Sequence, residues 1–276
     1  MSELFIELFS EEIPASLQIS ARNQIEKLLS ENLTTLNIKH KNLQSYSTPT
    51  RLTVKASDIP KKIKILGAEI KGPKKGVPQN IVENFAKSKK ISVNDLFEKK
   101  IEKGVFYFAK IKGKEISTEE ELSKCIPKIL NDISWKKSMR WSNYNLAWGR
   151  PLRSILAIFN NKKLKFKYEH LESVNFTVLE EHSEIIQKKI QNFDEYQNFL
   201  KKKEIILDHT ERKKFILNKI ISICKNRSLK ETVNEPLLSE VTNLVDKPRV
   251  IVASFDKNYL NLPQEIIKST LQSHQR

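Results

Sequence analysis

Leu4-Phe-Ile-Glu-Leu-Phe9, followed at once by Ser10-Glu-Glu-Ile-Pro-Ala-Ser-Leu17, decides how the chain is read. Six residues with a single acid form a short apolar run suited to a buried strand. Pro14 suits the first turn of a helix, with Glu11 and Glu12 near its positive end. Leu17, Ala21, Ile25, Leu28, Leu29 and Leu33 then fall on one helical face. Residues 43–57 read as one or two strands around Thr48-Pro49, and Ile63 to Ile70 as another. Further helices are expected over 79–89, weakly over 92–98, and from Thr118, where Glu121 completes a capping box. Pro127 should kink or split that last helix. Val105–Ile111 is a strand. Ser154–Phe159 and Leu164–Tyr168 flank the polar turn Asn160-Asn161 as a hairpin. Beyond them come a helix at 194–203, a strand at 204–207, and a helix capped by Asp208. A helix at 235–245, a buried strand at 249–253 and a helix at 263–273 complete the series. This order has no βαβ rhythm. It predicts an α+β fold, with a mixed, largely antiparallel sheet or sheets, packed helices and no Rossmann-type repeat. Rising polarity near 170–190 places a domain boundary there, giving regions 1–175 and 176–276.

Charge is the second signal. The chain of 276 residues carries a formal net charge of +16. Such a balance attracts polyanions. However, Lys outnumbers Arg 40 to 9, and many lysine runs, such as Lys201–Lys203, read as solvated faces. Arginine is concentrated in Lys136–Arg153, KKSMRWSNYNLAWGRPLR, which holds three of the nine arginines and two of the three tryptophans. Guanidinium groups fork onto phosphates and indoles stack on bases. Lys136, Lys137, Arg140, Arg150 and Arg153 are therefore candidate phosphate contacts, with Trp141 or Trp148 stacking. The tryptophans read more readily as core anchors. For the arginines, phosphate contact and bracing of the loop both stay open.

Other chemistry is sparse. Gly67-Ala-Glu-Ile-Lys-Gly72 has the glycine spacing of a phosphate loop, but Pro73 occupies the lysine position, so these read as turn glycines. His40, His170, His182, His209 and His274 are scattered, and no cysteine pair has ligand spacing, so no metal site is expected. Cys125 and Cys224 read as buried free thiols in a reducing cytoplasm. Glu11 and Glu12 are better explained by a helix terminus than by acid–base catalysis. No apolar run is long enough for a bilayer span, and the acidic start is not a signal peptide.

Several blocks, taken in order, resemble one family, the beta subunit of bacterial heterotetrameric glycyl-tRNA synthetase. They are Phe9-Ser-Glu-Glu-Ile-Pro14, Ser47-Thr-Pro-Thr-Arg-Leu-Thr-Val54, and Lys71-Gly-Pro73 with Asn84-Phe-Ala86. Met139-Arg-Trp141 with Trp148-Gly-Arg-Pro151 follows, then Leu237–Val245 with Ser254-Phe-Asp256 and Leu262-Pro263. Thr50 stands where the family has a second arginine, and Trp148 where it usually has Phe. Glu180-Glu-His-Ser183 keeps only the histidine of a further block. The resemblance implies an N-terminal fragment of a subunit more than twice as long. It implies an alpha subunit partner, in an α2β2 assembly, that holds the class II active site with glycine, ATP and Mg. This chain would carry no catalytic site or cofactor of its own. Its share would be positioning of tRNA(Gly) and assembly. A freestanding basic RNA-binding module, or a scaffold without RNA contact, remains the alternative.

Overall fold

The computed structural model describes residues 2–65, 68–89, 91–101, 104–111, 113–181 and 184–273. Gly67, His182-Ser183 and His274–Arg276 lie outside them. The fold is α+β, with mostly antiparallel open sheets and, among the described residues, seven α-helices. Two compact units are present: Met1–Lys61 with Glu121–Arg276, and the inserted Lys62–Glu120.

The first unit is organised by β1 (Ser2–Ser10), which leads into α1 (Ala15–Thr35) and the β2 (Lys41–Thr48) and β3 (Arg51–Ile59) hairpin. The inserted unit holds β4 (Lys62–Ile65), β5 (Ala68–Lys74), α2 (Gln79–Ser88), β6 (Leu96–Ile101), β7 (Gly104–Ile111) and β8 (Lys114–Ser117). There β4 pairs with β8, and β7 is central between β5 and β6. α3 (Thr118–Asp132) leads out of it. β9 (Leu152–Phe159), β10 (Lys162–Lys163), β11 (Lys167–Tyr168), β12 (Leu171–Val174), β13 (Phe176–Glu181) and β14 (Glu184–Lys189) follow. The chain ends in α4 (Phe193–Lys202), α5 (His209–Asn226), α6 (Glu235–Leu244) and α7 (Gln264–Ser273).

The main sheet has the order β11-β12-β9-β1-β3-β2, with β10 on β9. Its pairings are antiparallel except β12 with β9. β1 is buried on both faces, which is why its sequence is a nearly unbroken apolar run. Side-chain alternation sorts its residues. Leu4, Ile6 and Leu8 share a face with Ser45 and Ser47, whose hydroxyls meet Glu26 and Arg22 of α1. Phe5, Glu7 and Phe9 look the other way. On that side Phe5 joins Tyr46, Leu156, Ile158, Leu179, Ile190, Phe193, Tyr196 and Leu200 in one core cluster. Thus α1 covers one face, while α4 and the β13–β14 hairpin cover the other.

Glu7 sits inside this second core. It is 1% exposed, as is Arg51 of β3. The Arg51 Nε lies 3.4 Å from Glu7 Oε2, and Thr177 donates to the carboxylate at 2.7 and 2.9 Å. Arg51 also donates to Val178 O at 2.5 Å and to Thr50 Oγ1 at 2.8 Å. Burial pushes the Glu7 carboxyl above its ordinary range, while Arg51, Tyr196 and Thr177 pull it back.

A second buried polar network fixes the C-terminal helices. Arg212 of α5 donates to Thr242 O, Ile206 O, Leu207 O and Ser47 O, spending its fork on carbonyls of three segments. Gln18 of α1 donates to Asn243 O at 2.6 Å, and Arg22 meets Ser47 Oγ. Burial holds Arg22 and Arg212 at about 10. His209 opens α5 beside them. Burial, then the Arg22 and Arg212 charges, bring its imidazole down to about 4.

Several sequence expectations change. Ile63–Ile70 is two strands, β4 and β5, in different sheets. The weak helix at 92–98 is a 3-10 turn, Val93–Asp95, leading into β6. Ser92 and Asp95 make a capping box there. Thr118 is itself helical, and its buried hydroxyl has no hydrogen-bond partner, so the expected cap is not formed. α3 runs on through Pro127 as one element. Residues 204–207 bury Ile205 and Leu207 without a ladder, tied instead by Ile206 N to Asp246 O. Residues 249–253 form no strand and, apart from the half-buried Val250, are exposed, Ile251 at 84%. Apolar content alone does not supply a neighbouring strand to pair with. Cys125 is buried, but Cys224 only half so. The Asn160-Asn161 turn is present, with both residues at positive φ (51° and 61°), as a two-residue turn of this type requires, but its second strand is Lys162–Lys163 rather than Leu164–Tyr168, of which only Lys167–Tyr168 is strand.

Arg51→Leu should cost about 3–5 kcal/mol by stranding Glu7 in the core. Adding Glu7→Leu should recover part of that loss, read as urea midpoints of the single and double variants. For His209, the unfolded chain takes up a proton near the usual 6.5, whereas the folded chain holds out to about 4. Folding stability should therefore fall as pH drops across that interval. His209→Gln should flatten the fall, measured as thermal midpoints against pH.

Candidate nucleic-acid interface

The basic aromatic stretch forms a closed loop between α3 and β9. Its entry is fixed to α1, where Gln24 both donates to Ser134 O and accepts from Ser134 N. Met139 and Trp148 then pair as an isolated antiparallel bridge, N–H to O at 2.8 and 3.1 Å. Trp148 is 1% exposed. Its ring lies 5.0 Å from that of Trp135 and edge-on to Tyr168 at 6.3 Å. Gly149 lies flat against Trp135, whose ring carbons would come within 3.0 Å of any Cβ placed there. The Trp148-Gly149 pair is thus a packing unit: the large indole fills the base of the loop, and the glycine makes room for its neighbour.

The candidate contacts separate into two groups. Lys136, Lys137 and Arg140 are exposed, and among the described residues none forms an ion pair. Trp141 is half-buried, its ring edge-on to His170 at 6.0 Å. At the base, Arg150 donates to Gly149 O at 2.9 Å. Arg153 pairs with Glu11 at 3.3 Å and with Glu180, and lies 5.5 Å from the Phe9 ring centroid. The upper cations are free to meet an anion. Arg153 ties the start of β9 to Glu11 and Glu180, while Arg150 bonds only the carbonyl of the preceding residue.

Two further residues enter the site. Tyr144, 42% exposed, stacks on His170 with centroids 3.6 Å apart and planes 5° from parallel. Tyr144 lies in the stretch that composition singles out. His170 comes from the β11–β12 turn and has no sequence signal tying it to the loop. Lys167 of the adjoining β11 is exposed.

Behind the loop, segments far apart in the chain meet. Ser10 N donates to Thr50 O, Ile13 N to Pro49 O and Glu11 N to Pro151 O. Arg51 reaches Asp246 at 3.9 Å. The stretches 9–14, 47–54 and 148–153, with the end of α6, are therefore one corner of the structure. Elsewhere, Cys125 is a core thiol that burial pushes up to about 11, unsuited to nucleophilic work. Gly72 packs against the Phe85 ring, a steric rather than phosphate-binding role. Among the described residues no three His, Cys, Asp or Glu side chains cluster to hold a metal. None of their helices is long and apolar enough to cross a membrane.

Comparison with known proteins bears on this arrangement. A family model described as glycyl-tRNA synthetase beta subunit matches residues 4–276. The glycine–tRNA ligase beta subunit of Rickettsia felis is 33% identical over 282 residues, covering 100% of this chain and 42% of that protein. Its counterpart in Rickettsia prowazekii is 34% identical over 276 residues, covering 100% of this chain and 41% of that protein. The chain thus spans less than half the length of the curated relatives it matches.

Gly149→Ala should drive a methyl group into Trp135 and lower stability by about 1–3 kcal/mol, the usual cost of overpacking. A shifted tryptophan emission spectrum and an earlier urea midpoint would register the displaced ring.

Proposed function

The chain belongs to the glycyl-tRNA synthetase beta subunit family, and on that premise we propose that it serves a cytoplasmic glycine–tRNA ligase by positioning tRNA(Gly) and contributing to subunit assembly. In this reading glycine, ATP and Mg are handled by an alpha subunit. The beta chain supplies a surface on which the tRNA is held while that site acts. Holding two reactants in a fixed geometry removes part of the entropic barrier without any reacting group on the holder.

The observation that carries the reading is the split within the loop. Lys136, Lys137 and Arg140 stand exposed in the same loop as Trp141, and among the described residues no carboxylate is ion-paired with them. Such cations release counterions when they meet phosphates. Arg153 and the buried Trp148 fix the end of the loop, so these cations are presented from a packed base rather than a floppy segment. A scaffold without RNA contact would need the same base but has no use for three exposed cations that, among the described residues, lack an ion-pair partner.

The test is binding of this chain to tRNA(Gly) and to a non-cognate tRNA across a salt series. The wild-type chain should bind with a steep negative salt slope. Replacing Lys136, Lys137 and Arg140 together by Ala should reduce that slope by roughly 2–3, with the thermal midpoint nearly unchanged. Equal slopes in both proteins would remove the loop from the RNA surface.

A further inference from the structure

We propose that the outer face of the Tyr144 ring, continued behind by His170, is a stacking platform for one unpaired RNA base, whose flanking phosphates are met by Lys136, Lys137 and Arg140. This rests on the RNA-binding reading above and specifies what part of an RNA the loop takes: a single-stranded nucleotide rather than a duplex backbone.

The geometry of the rings carries the argument. Tyr144 and His170 are parallel within 5° at 3.6 Å. A phenol already stacked on one side presents a single flat π-face on the other, and Tyr144 keeps 42% of its surface exposed. The edge of Trp141 closes the side of the His170 ring, with planes at 77°. The His170 Nδ1 is buried with no hydrogen-bond partner among the described residues, and the ring lies stacked on Tyr144. The pair is anchored from both chain segments. Tyr144 is held by its N–H to Trp141 O at 3.3 Å, in a turn where Ser142 has φ of 50°. His170 is held at the turn of the β11–β12 hairpin, next to Tyr168, which packs against the buried Trp148.

A preformed aromatic surface costs little conformational entropy to use. Every base has a π-face, so such a surface takes single strands with little sequence preference. In a duplex both faces of each base are already stacked, and the platform would have nothing to receive. The flanking cations add the phosphate term, which both kinds of RNA can supply. The two contributions are therefore separable by experiment.

The probe is a short single-stranded RNA carrying 2-aminopurine, whose fluorescence is quenched on stacking, with a duplex of the same length beside it. The wild-type chain should quench the single strand. Tyr144→Ala should abolish quenching and weaken single-strand binding by about tenfold, leaving duplex binding and the salt slope unchanged. Tyr144→Phe should behave as wild type, since it keeps the ring. If Tyr144→Ala binds and quenches like wild type while the loop-cation variant loses affinity, the platform is refuted and RNA binding stands. If the folded wild-type chain binds neither RNA at low salt, the RNA reading falls and the platform with it.

Discussion

The structure is built around a charged pair in the middle of a sheet. Glu7 lies at the centre of the most buried strand, and Arg51 on the adjacent β3 meets it there. A carboxylate in an apolar core is tolerable only when its oxygens are engaged. Arg51 and Thr177, with the Tyr196 hydroxyl, do this from β3, β13 and α4. The requirement is geometric: each donor belongs to a different element, so satisfying Glu7 fixes the β13–β14 hairpin and α4 on the same face of the sheet. Apolar contacts supply most of the burial, but they accept many packings. The ion pair accepts few.

The same device recurs on the other side of β2. Arg212 places its guanidinium against four backbone carbonyls from β2, the α4–α5 connection and α6. Gln18 and Arg22 complete the junction from α1. Carbonyls at helix and strand ends are groups that must find donors. One arginine that serves four of them locks the ends to one another. Arg22 and Arg212 lie near His209, which stays neutral chiefly because burial disfavours its charged form, with the two guanidinium charges adding to the effect.

These fixed corners are what allow the loop to present its tip. Trp148 fills the base, Gly149 admits Trp135, and Arg153 ties the start of β9 to Glu11 and Glu180. Above that base, Lys136, Lys137, Arg140 and the Tyr144–His170 stack face outward. The eighteen residues thus divide between side chains that pack, such as Trp148, and side chains that stay exposed, such as Arg140.

Local physics made much of this readable from the chain. The apolar run at Leu4–Phe9, the stripe on α1, the Asn160-Asn161 turn and the Asp208 cap each depend on neighbours within a few residues. They were legible for that reason. Residues 204–207 and 249–253 have strand-like composition but no strand beside them, and pairing is a property of distant segments. The same limit applies to the charged residues. Arg51, Arg140, Arg153 and Arg212 are one side chain in the sequence, and only the fold sets one against Glu7, one on carbonyls, one on Glu11 and Glu180, and one in solvent. The sequence alone determined the α+β class, its main elements and where arginine and tryptophan are concentrated. Tertiary structure decided which of those residues are spent inside the molecule and which remain exposed, because burial and ion pairing are set by segments distant in the chain meeting within a few ångströms.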